Sequence, residues 1–365
     1  MQIQNLRLQN FRNYHEAQFS FDKKVIGLFG KNGSGKTNIV DAIHYLSFSK
    51  SALNSQDAQN ISHGKDYFLV EGTFEKEGHS HTIRCSFDGK KKKLLEDGNE
   101  YGKFSEHIGQ YPVTMIMPQD ITLIWEGGEG RRKFFDQWLS QVDRPYLEKL
   151  VLYNQLLRQR NGLLRAAQSS GYIDQDLLAT YHHQMAPAAE AIYDTRKKFV
   201  REINPSLQKE YGLLVRTGES AKVDYHSVLD QKNSHAVLTT ELDREIAVGR
   251  TLAGIHLDEY PFLINDFEVR KYGSQGQQKS FLIGLKWVEL AYTKMKKGFS
   301  PILLLDDIFD KMDDDRVARL MEMISNDSQT QFFITDANPS RAREILKKAN
   351  LDFQEFNIGG TSQDG

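Results

Sequence analysis

The sequence predicts an α/β fold: a head built on a mixed sheet, with a helical arm inserted into it. Three observations lead to this. Short apolar runs at 25–29 (VIGLF), 301–305 (PILLL) and 331–335 (QFFIT) are each followed by a turn and a helical pattern, the alternation expected of buried strands in a mostly parallel sheet. From 67 to 101 apolar and polar residues alternate, broken by Glu77-Gly78, Asp88-Gly89 and Asp97-Gly98, as in an antiparallel meander. In the middle of the chain apolar residues recur at helical spacing: Tyr146, Leu150, Tyr153, Leu157 and Leu164, then, past Ser169-Ser-Gly171, Leu178, Tyr181, Met185, Ala188, Ile192 and Phe199. Two long antiparallel helices, a short coiled-coil hairpin, fit that pattern, with Asn204-Pro205 ending the second. The expected partition is therefore 1–140 and 249–365 for the two parts of the head and 141–248 for the arm. No internal repeat is present, and residues 359–365 read as a frayed tail.

Composition narrows the class. The chain has 365 residues, 39% hydrophobic and 26% charged, which fits a folded protein with a sizeable core rather than a disordered one. Lys plus Arg is 47 against 49 Asp plus Glu, a net charge of −2, so any nucleic-acid surface has to be a local patch. One cysteine, Cys85, excludes a disulfide framework and a cysteine zinc cluster, and its alternation with Ile83 and Phe87 reads as a buried strand thiol. No apolar run approaches the ~18 residues that span a bilayer, and the N-terminal segment lacks the pattern of a signal peptide. A cytoplasmic protein with no membrane partner is expected.

Three motifs carry chemistry. Gly30-Lys-Asn-Gly-Ser-Gly-Lys36-Thr37 matches G-x-x-x-x-G-K-[ST], between an apolar run and a helical pattern as the motif requires. Its glycines let backbone N–H groups converge on phosphate oxygens at a helix N-terminus. Gly30, Asn32, Gly33, Ser34, Gly35, Lys36, Thr37 and Asn38 are thus the candidate cradle for ATP. Lys36 would reach the β- and γ-phosphates, and the Thr37 hydroxyl would ligate Mg²⁺. Leu303-Leu-Leu-Asp306-Asp307 is an apolar strand ending in carboxylates, which places Asp306 toward Mg²⁺ and Asp307 toward the attacking water. Ser274-Gln-Gly276-Gln277 opens a helical stretch some distance before that strand, a second anion site in the order of an ABC-type signature, where Ser274, Gly276 and Gln277 would act on nucleotide held by another subunit.

Together the segments NFRNY (10–14), GKNGSGKTN (30–38), MPQD (117–120), RRKFFD (131–136), LLRQRNGLL (156–164), GSQGQQ (273–278) and LLLDDIFDKMD (303–313) resemble the bacterial RecF family, in the SMC-like branch of the ABC ATPases. The resemblance runs to about Asp336. It implies an ABC-type head, weak DNA-stimulated ATP hydrolysis acting as a switch, and an ATP-dependent homodimer. That dimer would clamp duplex DNA beside single-strand gaps, with RecR- and RecO-type accessory proteins and RecA loading downstream, in DNA repair, replication restart and the SOS response. By the same resemblance Arg12 lies near the nucleotide, Gln119 senses Mg²⁺ and the water, Asp313 belongs to the dimer seam, and Ser274 acts in trans. There are departures. Gly254-Ile-His256-Leu-Asp258-Glu259 lacks the arginine expected there, Asp310 stands where a serine is usual, and Thr335 and Asp336 occupy the region of the switch histidine.

Basic clusters at Lys90–Lys93, Arg131-Arg132-Lys133, Arg158 with Arg160 and Arg165, and Arg196-Lys197-Lys198 are candidate phosphate contacts. The arms of a clamp favour Arg131, Arg132, Arg158 and Arg160 over the Lys90 hairpin. The competing readings are the nucleotide-binding subunit of a membrane transporter, a longer-armed SMC protein and a defence nuclease. The inserted arm and the motifs outside the ATP site count against the first.

Overall fold

The computed structural model describes residues 1–215, 218–309 and 312–359. The expectations for Asp310 and for residues 360–365 fall outside them. The chain divides into two compact units, 1–120 with 279–365, and 121–278. The borders fall at 120/121 and 278/279, where 140/141 and 248/249 were expected. The reason lies in what 121–143 and 249–278 pack against. In the helix Gly128–Val142, Phe135 stacks on Tyr260 with ring centroids 4.3 Å apart, and Trp138 meets Phe199 of the arm at 4.7 Å. The strand Phe262–Ile264 pairs with Ala221–Val223. Both stretches therefore belong with the arm.

The first unit holds two sheets. One is antiparallel and six-stranded: Tyr14–Ser20, Gln2–Phe11, Phe68–Lys76, His79–Phe87, Lys92–Glu96 and Asn99–Glu100, in that spatial order. The other is parallel, in the order Phe353–Asn357, Val25–Phe29, Gln331–Asp336, Ile302–Leu305 and Val113–Ile116. The three apolar runs of the sequence are the three central strands, buried along their length as strands covered on both faces must be. The edge strand Phe353–Asn357 mixes polar and apolar residues and is only half-buried, so periodicity did not mark it. The helix Lys36–Phe48 is buried on nearly every side rather than on the single face of Ile39, Val40, Ile43 and Leu46, because it contributes to the core shared with both sheets. Cys85 lies in that core, and burial pushes its thiol up to about 12.

The second unit is built on the helices Arg144–Ser170 and Gln175–Leu214. Asp143 and Asp174 cap them, accepting from the backbone N–H of Tyr146 and Leu177. Gly171, left-handed at φ 71°, ends the first. Pro205 does not end the second, which runs nine residues further with Pro187 also inside it. A proline there removes one backbone hydrogen bond and strains the turn. Burial of Leu207, Tyr211 and Leu214 on that last stretch offsets the loss. Asn204 has another task, since its side chain exchanges hydrogen bonds of 2.9 and 2.8 Å with the backbone of Val223 and so extends the small sheet.

The arginines of the arm are interior. Arg160 is fully buried: its guanidinium donates to His182 Nε2 at 3.0 Å, Thr251 Oγ1 at 2.7 Å, the Leu238 carbonyl at 2.9 Å and Glu245 Oε2 at 2.6 Å. Arg196 is equally enclosed between Tyr146, Asp136, the Ile255 carbonyl and Asp258. Arg131 donates to the carbonyls of Leu123, Ile124 and Tyr260, and Arg132 to that of Asp258. The expectation that Arg131 and Arg160 grip phosphates is therefore overturned, because their donors are consumed by the fold, while Arg132 is half-buried with one nitrogen committed to the Asp258 carbonyl. Arg158 is exposed.

Two outcomes are expected. Arg160→Ala leaves the buried Glu245 carboxylate without its partner, so it should cost about 3–5 kcal/mol, read as a lower urea midpoint for the unit 121–278. Burial and the neighbouring Arg160 hold the His182 imidazole at about 4, and the nitrogen facing Arg160 must stay unprotonated. The unfolded chain takes up that proton near pH 6.5, so stability is full above about pH 6.5 and falls as pH drops toward 4, by about 1.4 kcal/mol per pH unit for one proton. His182→Gln keeps a neutral acceptor and should flatten the fall in urea midpoint between pH 7 and 5; an unchanged slope would dismiss His182 as its source.

Candidate functional site

Within the first unit the P-loop follows the strand Val25–Phe29 and runs into the helix that begins at Lys36. Two of its glycines are sterically required. A Cβ on Gly30 would stand 2.1 Å from the Ile358 carbonyl oxygen, and one on Gly35, at φ 109°, would stand 2.5 Å from the Asn13 amide. The Lys36 ammonium is directed back over the loop, donating to the carbonyls of Gly30 at 2.6 Å and Lys31 at 3.0 Å. Asn13, in the turn between the first two strands, and Tyr14, which opens the second, brace the loop, donating to the Ser34 and Gly35 carbonyls at 3.2 and 3.3 Å. The Asn38 amide donates to Asn13 Oδ1 at 2.6 Å.

Arg12 approaches the same helix. Its guanidinium donates to Asn38 Oδ1 at 3.1 Å, to Asp41 Oδ2 at 2.7 Å and to Ser51 Oγ at 2.8 Å. Asp41 is fully buried, and it also accepts from Ser51 Oγ and from the backbone N–H of Ala52. Burial raises its pKa, opposed by Arg12 and these donors. Arg12 is thus placed beside the P-loop helix, fixed by a carboxylate that the sequence did not single out.

The carboxylate end of Ile302–Leu305 completes the arrangement. Thr37 Oγ1 lies 3.0 and 3.1 Å from the two oxygens of Asp306, and Thr335 Oγ1 donates to Asp306 Oδ1 at 2.7 Å. Asp306 is buried, and desolvation lifts its pKa while the two hydroxyls oppose the lift. The Asp307 N–H donates to Thr335 Oγ1 at 3.0 Å. Asp307 sits in the left-handed region at φ 48°, a conformation costly for a residue with a side chain and concentrated at functional sites. Its Oδ1 is buried without a hydrogen-bond partner among the described residues, as is Ser34 Oγ in the loop. Such groups cost free energy unless a ligand engages them.

These residues fit a magnesium nucleotide. Two neighbouring ligands of an octahedral Mg²⁺ at ~2.1 Å are ~3.0 Å apart, the separation of Thr37 Oγ1 and Asp306 Oδ1, so the pair could hold the ion with only a turn of the hydroxyl. Gln119 is exposed in the turn Pro118–Ile121, three residues past Ile116, whose carbonyl accepts from the Asp306 N–H at 2.9 Å. Asp313 caps the helix Asp314–Asn326 through the Arg316 N–H at 2.9 Å. That bond and the Arg316 guanidinium hold its carboxyl below the usual range.

Ser274, Gly276 and Gln277 belong to the second unit. Ser274 is exposed at the start of the helix Gln275–Lys297 and forms a reciprocal cap with Gln277: its N–H donates to Gln277 Oε1 at 2.8 Å, and the Gln277 N–H to Ser274 Oγ at 3.2 Å. His256 is also in this unit, bonded to the Tyr153 hydroxyl at 2.9 Å and held near 4 by burial, which makes it a packing histidine.

The family model described as RecF/RecN/SMC N terminal domain matches residues 2–355. The DNA replication and repair protein RecF of Flavobacterium johnsoniae is 40% identical over 359 residues, 98% of this chain and 100% of that protein. The chain belongs to the RecF family. A solved structure described as the recombination mediator protein RecF-ATP in the RecFOR pathway superimposes on this chain with a TM-score of 0.86 at 26% identity, covering 98% of each chain. The Smc head domain of Pyrococcus furiosus, at 17% identity and a TM-score of 0.56, shares the fold. RecF membership sets aside the transporter, long-armed SMC and nuclease alternatives. Among the described residues no helix is long and apolar enough to cross a membrane.

Thr335 was recognised in the sequence only as standing where a histidine was expected; here it donates to the Asp306 carboxylate and accepts from the Asp307 N–H. Thr335→Val removes a donor to a charged group, worth ~1.5–3 kcal/mol. Steady-state ATP hydrolysis should fall about 10- to 100-fold, while fluorescence titration shows nucleotide affinity within about threefold of wild type. Unchanged turnover would deny Thr335 that positioning role.

Proposed function

We propose that this protein is an ATP-switched DNA-binding protein of recombinational gap repair and replication restart. Two copies close on ATP and hold duplex DNA next to a single-strand gap, and hydrolysis releases them. With RecR- and RecO-type partners the closed form promotes RecA loading. The observation that carries the reading is the Thr37–Asp306–Thr335 constellation beside the P-loop, in a chain alike over its whole length to a protein named for DNA replication and repair.

In this reading Lys36 and the loop N–H groups hold the β- and γ-phosphates, and Thr37, Asp306 and Gln119 would hold Mg²⁺, which when bound would offset charge on the phosphates. Asp307 orients the water and accepts its proton. Arg12 and Asn38 fix the start of the P-loop helix. Ser274, Gly276 and Gln277 of one copy face the γ-phosphate held by the other, and Asp313 lies at the seam. The exposure of Ser274 and Gln275 at the start of their helix supports this, since an anion from another molecule can reach a helix N-terminus there. Hydrolysis acts as a timer for release, so a slow catalyst suffices.

The test is fluorescence anisotropy on a gapped duplex with ATP, with ADP and without nucleotide, with Lys36→Met and Ser274→Arg beside wild type. Binding should be tight with ATP alone and weaken more than tenfold in both variants. Light scattering should show a dimer only with ATP. Binding that ignores nucleotide and survives both changes would overturn the switch.

A further inference from the structure

Loss of Arg131 and Arg160 as candidates leaves open which cations meet DNA. Several surface cations are neutralised by neighbours: Lys133 pairs with Glu129, Lys197 with Asp230, Lys198 with Glu202, Lys222 with Asp266 and Lys271 with Glu268. The hairpin joining His79–Phe87 to Lys92–Glu96 is different. Lys90, Lys91 and Lys93 are exposed, and among the described residues none of them makes an ion pair. The nearest carboxylate in sequence, Asp88, is turned into its own hairpin, where Oδ1 accepts from the backbone N–H groups of Lys90 and Lys91. Lys93 alternates with buried Leu94 and so stands on the solvent face of the sheet. Gly89 abuts the Asp66 carbonyl, which brings the unpaired, exposed Lys65 and the 42%-exposed Tyr67 to the same tip.

We infer that this tip is a binding surface for the phosphate backbone of duplex DNA. The inference rests on the DNA-binding reading above and names the surface. Flexible lysines suit a polyanion read by charge rather than by sequence, and an adjacent aromatic ring offers a face to a sugar or an unstacked base. The position is favourable for control by nucleotide. Register pairs Phe87 with Phe68, Leu69 with Gln9, and Phe11 with Tyr14, so the hairpin emerges at the same end of the sheet as the turn bracing the P-loop. Lys92, the one lysine of the run that is engaged, donates to the Ser49 carbonyl at 2.7 Å, just past the end of the P-loop helix, and pairs with Asp57 at 2.9 Å.

The test compares wild type, Lys90→Gln/Lys91→Gln/Lys93→Gln and Lys90→Arg/Lys91→Arg/Lys93→Arg on the gapped duplex with Mg-ATP, from 50 to 300 mM salt. The glutamine triple should bind at least tenfold more weakly at 100 mM salt, and its slope of log affinity against log salt should be flatter by about two to three. The arginine triple should bind as wild type does. Hydrolysis without DNA and the thermal midpoint should be unchanged in both, which separates lost contact from lost fold. Wild-type affinity and slope in the glutamine triple, with wild type itself binding DNA, would overturn this inference alone. A wild type that binds no DNA in any nucleotide state, or that binds anionic vesicles in its place, would overturn the DNA-binding reading and this surface with it.

Discussion

A single carboxylate, Asp306, held by hydroxyls from two other elements, is the constraint on which the head depends. The P-loop strand Val25–Phe29 is not next to Ile302–Leu305; Gln331–Asp336 lies between them. Neighbouring strands are ~4.8 Å apart, so Thr37 must reach across one whole strand to meet Asp306. The crossing works only if the intervening strand ends in something small and polar. Thr335 is that residue, and it bonds to Asp306 and to the Asp307 N–H. The Gly30 N–H donates to the Asp336 carbonyl at 3.3 Å, which fixes the loop to the same intervening strand. A larger side chain at 335 would push the P-loop helix off the carboxylate, and an apolar one would leave the buried Asp306 short of a donor.

The second unit solves a different problem with the same currency. Two long helices joined by a short break expose much polar surface, and their apolar seam alone does not set their register. Arg160 and Arg196 do, each presenting a planar fork to carboxylates, carbonyls and a hydroxyl on several elements at once. An arginine buried in this way is costly unless every donor is used. That accounts for the density of partners around each, Tyr146, Tyr225, Asp136 and Asp258 for Arg196, and His182, Thr251 and Glu245 for Arg160.

Much of this was legible in the chain. Buried parallel strands announce themselves as apolar runs, and Glu77-Gly78, Asp88-Gly89 and Asp97-Gly98 marked every turn of the meander because each needs φ above zero. The P-loop and its carboxylate strand were readable because phosphate chemistry dictates residue types at fixed spacing. What stayed hidden depends on distant partners. Asn13 and Tyr14 meet the P-loop 21 residues away, and nothing local says so. Pro205 reads as a helix stop until the burial of Tyr211 and Leu214 is known. The arginine runs misled for a related reason: a charge seen in sequence carries no sign of whether it faces water or a buried glutamate.

The segment 49–62 shows how the head could transmit a signal without a moving domain. It leaves the P-loop helix at Ser49, passes Ser51 beneath the Arg12 guanidinium, presents Asp57 to Lys92 and returns with Asn60 and Ser62 bonded to the backbone of Arg12 and Asn10. Asp57 also accepts from the Tyr45 hydroxyl on the P-loop helix. One stretch of chain therefore touches the middle and the C-terminal end of that helix, the turn that braces the P-loop, and the base of the lysine hairpin. Each contact is polar and partly buried, so a shift of the helix on nucleotide binding must be absorbed by bonds with few alternative partners. Coupling of this kind is reciprocal: if nucleotide alters the pose of the hairpin, a polyanion on the hairpin must alter nucleotide affinity by the same factor.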